Sequence, residues 1–348
     1  MTGQAGKPHT GWRIYRGDRQ PHDGIKDLPP PPPWRAFDGQ VLQESTPDPV
    51  TDTTLSSSIL QRAKAYLPDE ELVDVVNIAM LLRRPLLVTG KPGTGKSTLA
   101  HSIAFELKLG PVLYWPITSR SQMQEGLYRY DGIERLQQAN SQRQGGKAPG
   151  REALEADVAN FIRLGPLGTA LLARDRPRVL LIDELDKSDT DFPNDLLNVL
   201  EEGQFEISEL SRLATQVPVR VLTHDPDRWA HVAHGSLRCN AFPIVIITSN
   251  GEREFPPAFL RRCLRHTVTP PSATKLARIV ATQLGDDAFQ NAGDLMDEFV
   301  VLRERVDLAT DQLLNAVYFA TSGLQPDPAT RKRLVAKLFR GLGSAAES

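Results

Sequence analysis

Residues 90–97 read GKPGTGKS and fill every fixed position of the pattern G-x-x-x-x-G-K-[ST]. Residues of these types at this spacing can hold a phosphate chain. Gly93 and Gly95 let the backbone approach phosphate with no side chain between them. The loop amides and the following helix N-terminus then aim partial positive charge at the anion. Lys96 has the reach for β- and γ-phosphates, and Ser97 can place its hydroxyl on Mg²⁺. Gly90, Lys91, Pro92, Gly93, Thr94, Gly95, Lys96, Ser97 and Thr98 are therefore the candidate nucleotide-phosphate contacts. A second group of candidates follows about ninety residues later, where Val179-Leu180-Leu181-Ile182 runs into Asp183-Glu184. Carboxylates at the C-terminal end of a buried strand lie where ligands of open α/β sheets bind. Asp183 is expected to hold Mg²⁺ through water, and Glu184 to polarise an attacking water. Alone, such a stretch could equally be a buried strand ending in a charged turn; its place behind a phosphate loop favours chemistry. Asn250 closes the apolar run 242–248 and would sit beside a γ-phosphate if that strand neighbours the loop. Arg261 and Arg262 form a pair that is either a solvated face or a second charged device.

These residues need a scaffold. The run 86–89 predicts a buried strand ahead of the loop. Leu99, Ile103 and Leu107 recur every fourth residue and predict a helix over 98–109, stopped by Gly110 and Pro111. Upstream, residues 56–84 predict two helices broken at Pro68, the second opened by Asp69, Glu70 and Glu71. A strand is expected over 112–115. The long stretch to about residue 173 is an insertion, with helical pieces over 121–138 and 152–164 and a Gln/Asn/Gly-rich loop over 137–150. Gly165-Pro166 is expected to end the second piece. Residues 192–202 predict a helix capped by Asp189 or Thr190 and closed by Gly203. Segments 205–207 and 218–222 suggest a hairpin, and 255–266 a short helix. His224, His231 and His234 lack zinc-like partners at useful spacing and read as surface residues. From 270 to 342 only helical patterns remain, over 275–284, 294–305, 311–320 and 329–342, the last with Arg340 on its basic face.

The first 55 residues differ in kind. They hold five consecutive prolines, 29–33, with Trp12, Ile14, Tyr15, Trp34 and Phe37 around them. Polyproline II is the expected conformation of that run. The segment is either a disordered leader or an arm whose aromatics dock on its own core or on a partner. Three parts are thus expected: an arm (1–55), a nucleotide-binding core (56–269) and a helical domain (270–348).

Composition narrows the function classes. The 348 residues carry 41 Lys plus Arg against 43 Asp plus Glu, a net charge of −2, so no global basic field draws the chain to nucleic acid. No run of eighteen apolar residues predicts a membrane span, and no apolar signal core marks the N-terminus. Cys239 and Cys263 form no C-x-x-C pair, which fits a reducing cytoplasm.

In order along the chain, the runs RRPLLVTGKPGTGKSTLA, LYRYDGIERLQ, FIRLGPLG, VLLIDELDKSD, LLNVLEEGQFEI and IITSNGEREFPPAFLRR resemble the AAA+ ATPases, and within them the MoxR branch. The resemblance covers residues 56–342. It implies an α/β P-loop NTPase core with a parallel sheet flanked by helices, a C-terminal all-helical lid, and a hexameric ring with ATP between subunits. It further implies that Asn250 is the sensor 1 residue and that Arg262, or alternatively Arg261, reaches the neighbouring subunit's γ-phosphate. The lid arginine departs from the family pattern: GLQPDPATRKR offers Arg331 and Arg333, and neither matches cleanly. The proline-rich arm resembles arms on MoxR-type ATPases encoded beside von Willebrand A proteins in bacterial conflict systems. That implies a protein partner and a role in antiphage defence. Three functions stand open on this reading: an ATPase that remodels or activates a protein partner, an ATP-dependent switch or scaffold with little turnover, and a nucleic-acid motor.

Overall fold

The computed structural model of the protein describes residues 10–41, 57–144, 158–212, 218–290, 292–303, 305–306, 308–322 and 327–339. Residues 10–41 carry three single-turn 3-10 pieces, Thr10–Trp12, Gly24–Asp27 and Pro33–Arg35. Helices α1 (Ser57–Ala65) and α2 (Glu70–Leu82) follow, and Arg83, in the left-handed region at φ 53°, turns the chain into β1 (Leu86–Thr89). The glycine-rich loop leads to α3 (Lys96–Glu106) and then β2 (Leu113–Pro116). The insertion consists of α4 (Met123–Leu127), β3 (Tyr128–Tyr130), α5 (Gly132–Gln144), β4 (Ile162–Leu164) and α6 (Pro166–Ala170). Next come β5 (Val179–Asp183), α7 (Phe192–Glu202), β6 (Gln204–Glu206) and α8 (Ser208–Ser211). Strands β7 (Val219–Leu222), β8 (Trp229–Val232), β9 (Ser236–Arg238) and β10 (Ile244–Ser249) lead to α9 (Pro257–Arg262) and β11 (Leu264–Thr267). Helices α10 (Ala273–Leu284), α11 (Asp286–Gln290), α12 (Gly293–Arg303), α13 (Thr310–Thr321) and α14 (Pro328–Leu338) complete the described chain.

The central sheet is parallel throughout, in the order β11-β1-β10-β5-β2. Its inner strands β1, β10 and β5 are almost wholly apolar because helices cover both faces, whereas the edge strands β11 and β2 alternate in exposure. Successive residues then feed opposite cores. Leu87, Leu180, Ile182, Val245 and Ile247 pack with Leu196, Leu197 and Leu200 of α7. Leu86, Val88, Leu181 and Ile246 pack with α2 and α3, and Tyr15 and Ile25 join this second cluster. Helices α10 to α14 bury a third cluster of their own around Phe299, Leu313, Val317 and Phe339. This is an α/β P-loop core with a helical C-terminal part.

Several local expectations change. Helix α3 ends at Glu106, before Gly110 and Pro111, because Lys108 takes a left-handed conformation at φ 51°. The helix expected over 121–138 is two helices split by β3. Of the piece expected over 152–164, residues 162–164 form β4, where Ile162 and Leu164 point into the core and Arg163 outward. Residues 158–160 are helical as expected, and 152–157 lie outside the described residues. Gly165-Pro166 opens α6 instead of closing a helix, since proline suits the first helical position. The loop expected over 137–150 is helical to Gln144, and 145–150 lie outside the described residues. Asp191, not Asp189 or Thr190, occupies the N-cap of α7, without a side-chain bond. The expected hairpin does not form: β6 pairs with β9, while β7 lies between β4 and β8. Residues 264–266 belong to edge strand β11, not to the helix before it. Arg340 lies outside the described residues. Both cysteines are buried free thiols. Among the described residues no helix is long and apolar enough to cross a membrane.

Candidate nucleotide site

Sheet register assembles the site. Thr89 of β1 lies beside Ser249 of β10, and Ile247 beside Ile182 of β5. The C-terminal ends of all three strands therefore meet on one edge, and the loop, Asn250 and the Asp183-Glu184 pair meet with them. The neighbouring of β1 and β10 is what the expected place of Asn250 required. Gly93 sits at φ 73°, and a Cβ there would fall 2.4 Å from that of Ala309, before α13. Only glycine tolerates both that backbone and that approach. The helical domain thus packs directly on the phosphate loop.

Lys96 is 7% exposed. Its ammonium donates to Gly90 O at 2.6 Å, Lys91 O at 2.8 Å and Asn250 Oδ1 at 2.9 Å. Burial lowers its pKa, opposed by the nearby Asp186, Asp183 and Glu184. The Ser97 hydroxyl donates to Asp183 Oδ1 at 2.6 Å. Thr248 Oγ1 donates to the same oxygen at 2.6 Å and accepts the Glu184 N–H at 2.9 Å. Tyr114 donates to Asp183 Oδ2 at 3.3 Å, and burial with the adjacent carboxylates raises its pKa. Glu184 adopts φ 59°, a strained conformation for a non-glycine residue. Its Oε2 pairs with Lys187 Nζ at 2.5 Å, and Asn250 Nδ2 approaches its Oε1 at 3.4 Å. Asp186 is buried and accepts the N–H groups of Asn250 at 2.9 Å and Glu252 at 3.1 Å. It fastens the segment that carries Asn250 to the end of β5.

A cleft of about 780 Å³ opens above the loop. Arg62 and Tyr66 form its wall on the α1 side, and Lys275, Asn315 and Tyr318 the wall on the helical domain. This volume admits a nucleoside triphosphate. The donor set also fits. Lys96 is a buried cation whose bonded partners are neutral, so an anionic phosphate complements it. Ser97 and Asp183 offer hard oxygens side by side, as Mg²⁺ requires when phosphate supplies the remaining ligands. Other predicted residues fall elsewhere. Arg261 and Arg262 are exposed on α9 and do not line this cleft; Arg262 Nε pairs with Glu201 at 2.6 Å. Arg331 and Arg333 are exposed on α14 and do not line it either. His224 and His234 are exposed and His231 half-buried, and no group of three or more His, Cys, Asp or Glu among the described residues could hold a metal. Sequence reasoning missed Arg62, Tyr66, Lys275, Thr248 and Asp186. Helical periodicity foretold the helices that carry Arg62 and Lys275, with Tyr66 just past the first, but not the face turned to the loop. Asp186, three residues after Asp183 in the same polar run, was the one with a local signal.

A parallel sheet with a glycine-rich phosphate loop, paired carboxylates on a neighbouring strand and a helical domain over the cleft defines a P-loop ATPase core. Residues 85–263, just over half the chain, match the AAA domain (dynein-related subfamily), and the chain belongs to that family of nucleotide-binding ATPases. No curated protein matches the chain.

Proposed function

We propose that the chain is a MoxR-type AAA+ ATPase that hydrolyses ATP with Mg²⁺ in this cleft to remodel or activate a protein partner. The observation that carries hydrolysis is the convergence of Glu184, Asn250 and Lys96 at one point of the sheet edge. Lys96 and the loop amides bind the β- and γ-phosphates and take up charge as it develops on them. Ser97 directly and Asp183 through water would hold Mg²⁺, which would offset the charge of the phosphates. Asn250 orients a water, and Glu184 takes its proton as the water oxygen bonds to the γ-phosphorus and the bond to the β–γ bridging oxygen breaks. Thr248 and Asp186 fix the two strand ends that carry these groups. Arg262, with Arg261 as its alternative, acts on the cleft of a neighbouring copy in a hexameric ring; its exposure away from its own cleft supports that assignment. Arginine suits the task because its fixed charge spreads over several phosphate oxygens. Arg331 serves as lid arginine only in an arrangement that brings α14 to the cleft.

The partner reading rests on the MoxR resemblance and on the arm, which favour a von Willebrand A-type protein and a part in antiphage defence. The net charge of −2 disfavours nucleic acid. One observation favours the alternative of an ATP-dependent switch with little turnover: Lys187 occupies one oxygen of Glu184. A single experiment separates the two. Glu184→Gln should retain ATP affinity and lose phosphate release by about 100-fold or more. If wild type and variant release phosphate equally slowly, the switch reading holds; if both release it rapidly, Glu184 is not the catalytic carboxylate.

A further inference from the structure

We propose that the face formed by Trp34 and Arg262 is where a second copy of this chain docks, with Trp34 of the arm as its apolar anchor. The inference rests on the shared-site reading above and adds a residue from outside the family-like core.

The arm is first of all fixed to its own core. Tyr15 is fully buried, and its hydroxyl lies 2.8 Å from Ser102 Oγ. Asn77 Oδ1 accepts the N–H groups of Ile14 at 2.6 Å and Tyr15 at 3.0 Å. Further along, the Arg35 guanidinium donates to Arg83 O at 2.7 Å and Leu200 O at 3.1 Å, capping the carbonyl ends of α2 and α7. It also stacks 4.5 Å from the Phe242 ring, against which Phe37 packs. A Cβ on Gly39 would fall 1.9 Å from Arg238 O, so the arm backbone lies flush on the core. With Tyr15 buried on one side and Arg35 bolted on the other, the turn Pro33–Arg35 is a rigid platform.

That platform holds Trp34 with 80% of its surface in solvent, the most exposed large apolar side chain among the described residues. A cavity of about 320 Å³ separates Trp34 from Leu82, Leu197, Glu201 and Arg262. Ile78 and Leu81, one helical turn apart on α2, are 37% and 39% exposed and extend the apolar strip from Leu82. A rigid, exposed tryptophan beside a cavity is the composition of an interface anchor.

Two observations select a second copy as the occupant. Arg262 lines the same cavity as Trp34 and does not line its own cleft, so whatever brings Arg262 to a phosphate also covers Trp34. The charges also match. Arg84 joins Arg261 and Arg262 on this face, its guanidinium donating to Arg261 O at 2.6 Å. The cleft that this face would meet on another copy is lined by four carboxylates, Asp69, Asp183, Glu184 and Asp311, against three cations, Arg62, Lys96 and Lys275, with Asp69 itself paired to Lys275 at 2.7 Å.

Sedimentation of the full chain with a non-hydrolysable ATP analogue, over a range of protein concentrations, tests the proposal. Trp34→Ala should raise the concentration needed for assembly by about tenfold or more, with melting temperature and monomer ATP affinity unchanged. Trp34→Phe should assemble nearly as wild type does, and Arg262→Ala should assemble yet hydrolyse no ATP. Assembly of Trp34→Ala over the wild-type concentration range overturns the proposal. A wild-type chain that stays monomeric with nucleotide bound overturns it together with the shared site. Impaired assembly of Trp34→Ala beside wild-type hydrolysis by Arg262→Ala upholds the docking face and removes only the shared-site reading.

Discussion

Lys96 and Glu106 stand at opposite ends of α3, each ionisable and almost withdrawn from solvent, and they are held in different ways. At the N-terminal end the helix dipole and loop amides favour an anion, and the residue placed there is a cation. Its three partners are neutral oxygens, and a cleft opens above it. At the C-terminal end the dipole disfavours a negative charge, and the residue placed there is a carboxylate with 0% of its side chain exposed. Burial raises the pKa of Glu106, and the N–H groups of Arg16, Gly17 and Arg19 work against that rise. These donate to its two oxygens at 2.5, 3.1 and 3.2 Å. The loop of the arm makes a small anion-binding nest, with Gly17 and Arg19 both at positive φ. The N-terminal end of the helix is thus open, its cation bonded to neutral oxygens beneath a cleft, while the C-terminal end is closed, its carboxylate covered by the arm.

The largest expected effect lies at the closed end. Glu106→Ala leaves three N–H groups of the arm without their acceptor in a buried setting. The loss should be on the order of 3 kcal/mol of folding stability, read as a clear drop in melting temperature. ATP affinity, measured below that temperature, should stay within about twofold of wild type. Equal melting temperatures would show that the arm contributes nothing to the core. A matching loss of ATP affinity in the folded variant would show that the two ends of α3 are coupled, and the contrast drawn above would fail.

Lys96→Ala makes the reverse test. Removing a charge-assisted donor to phosphate should weaken ATP binding by about 10- to 100-fold. The nucleotide-free protein should melt no lower than wild type, because a buried cation with neutral partners is costly to keep. A large fall in melting temperature without nucleotide would place Lys96 among the structural groups instead.

The open end was legible in the sequence and the closed end was not. Lys96, Ser97, Asp183 and Glu184 lie in contiguous runs whose chemistry is local, and apolar runs such as 179–182 and 244–248 mark strands covered on both faces. Asn250 could be placed because it follows directly on such a run. Glu106 gave no sign, since its partners arrive from about ninety residues away and donate through backbone groups that any residue carries. The arm itself gave half a sign. Its aromatics left docking as one of two readings, and Tyr15 and Phe37 do dock, yet Trp12 and Trp34 remain 48% and 80% exposed. Composition fixes how much apolar surface a segment has, not which side chain turns inward. Short strands were the other loss: YRY, IRL and LRHT each span three or four residues, too few for a period of two to stand out from a helical one.

The smallest effect sharpens the comparison most, because it probes a neutral bond instead of a charge. Tyr15 and Ser102 exchange one buried hydrogen bond at the closed end of α3. Tyr15→Phe keeps the ring in the core and leaves the serine hydroxyl without this partner. It should lower stability by about 1 kcal/mol. Ser102→Ala strands the tyrosine hydroxyl in the same way and should cost a similar amount. The double variant removes both polar groups together, so its loss should be smaller than the sum of the two single losses. A coupling energy of about 1 kcal/mol from that cycle would show that the arm is seated on α3 in solution. Strict additivity would mean that the two hydroxyls do not meet. All three variants should hydrolyse ATP at the wild-type rate, since Lys96 and Ser97 at the other end of the helix keep every partner they had. A rate that falls in step with the coupling energy would instead make the arm part of the nucleotide machinery, working through the helix that joins them.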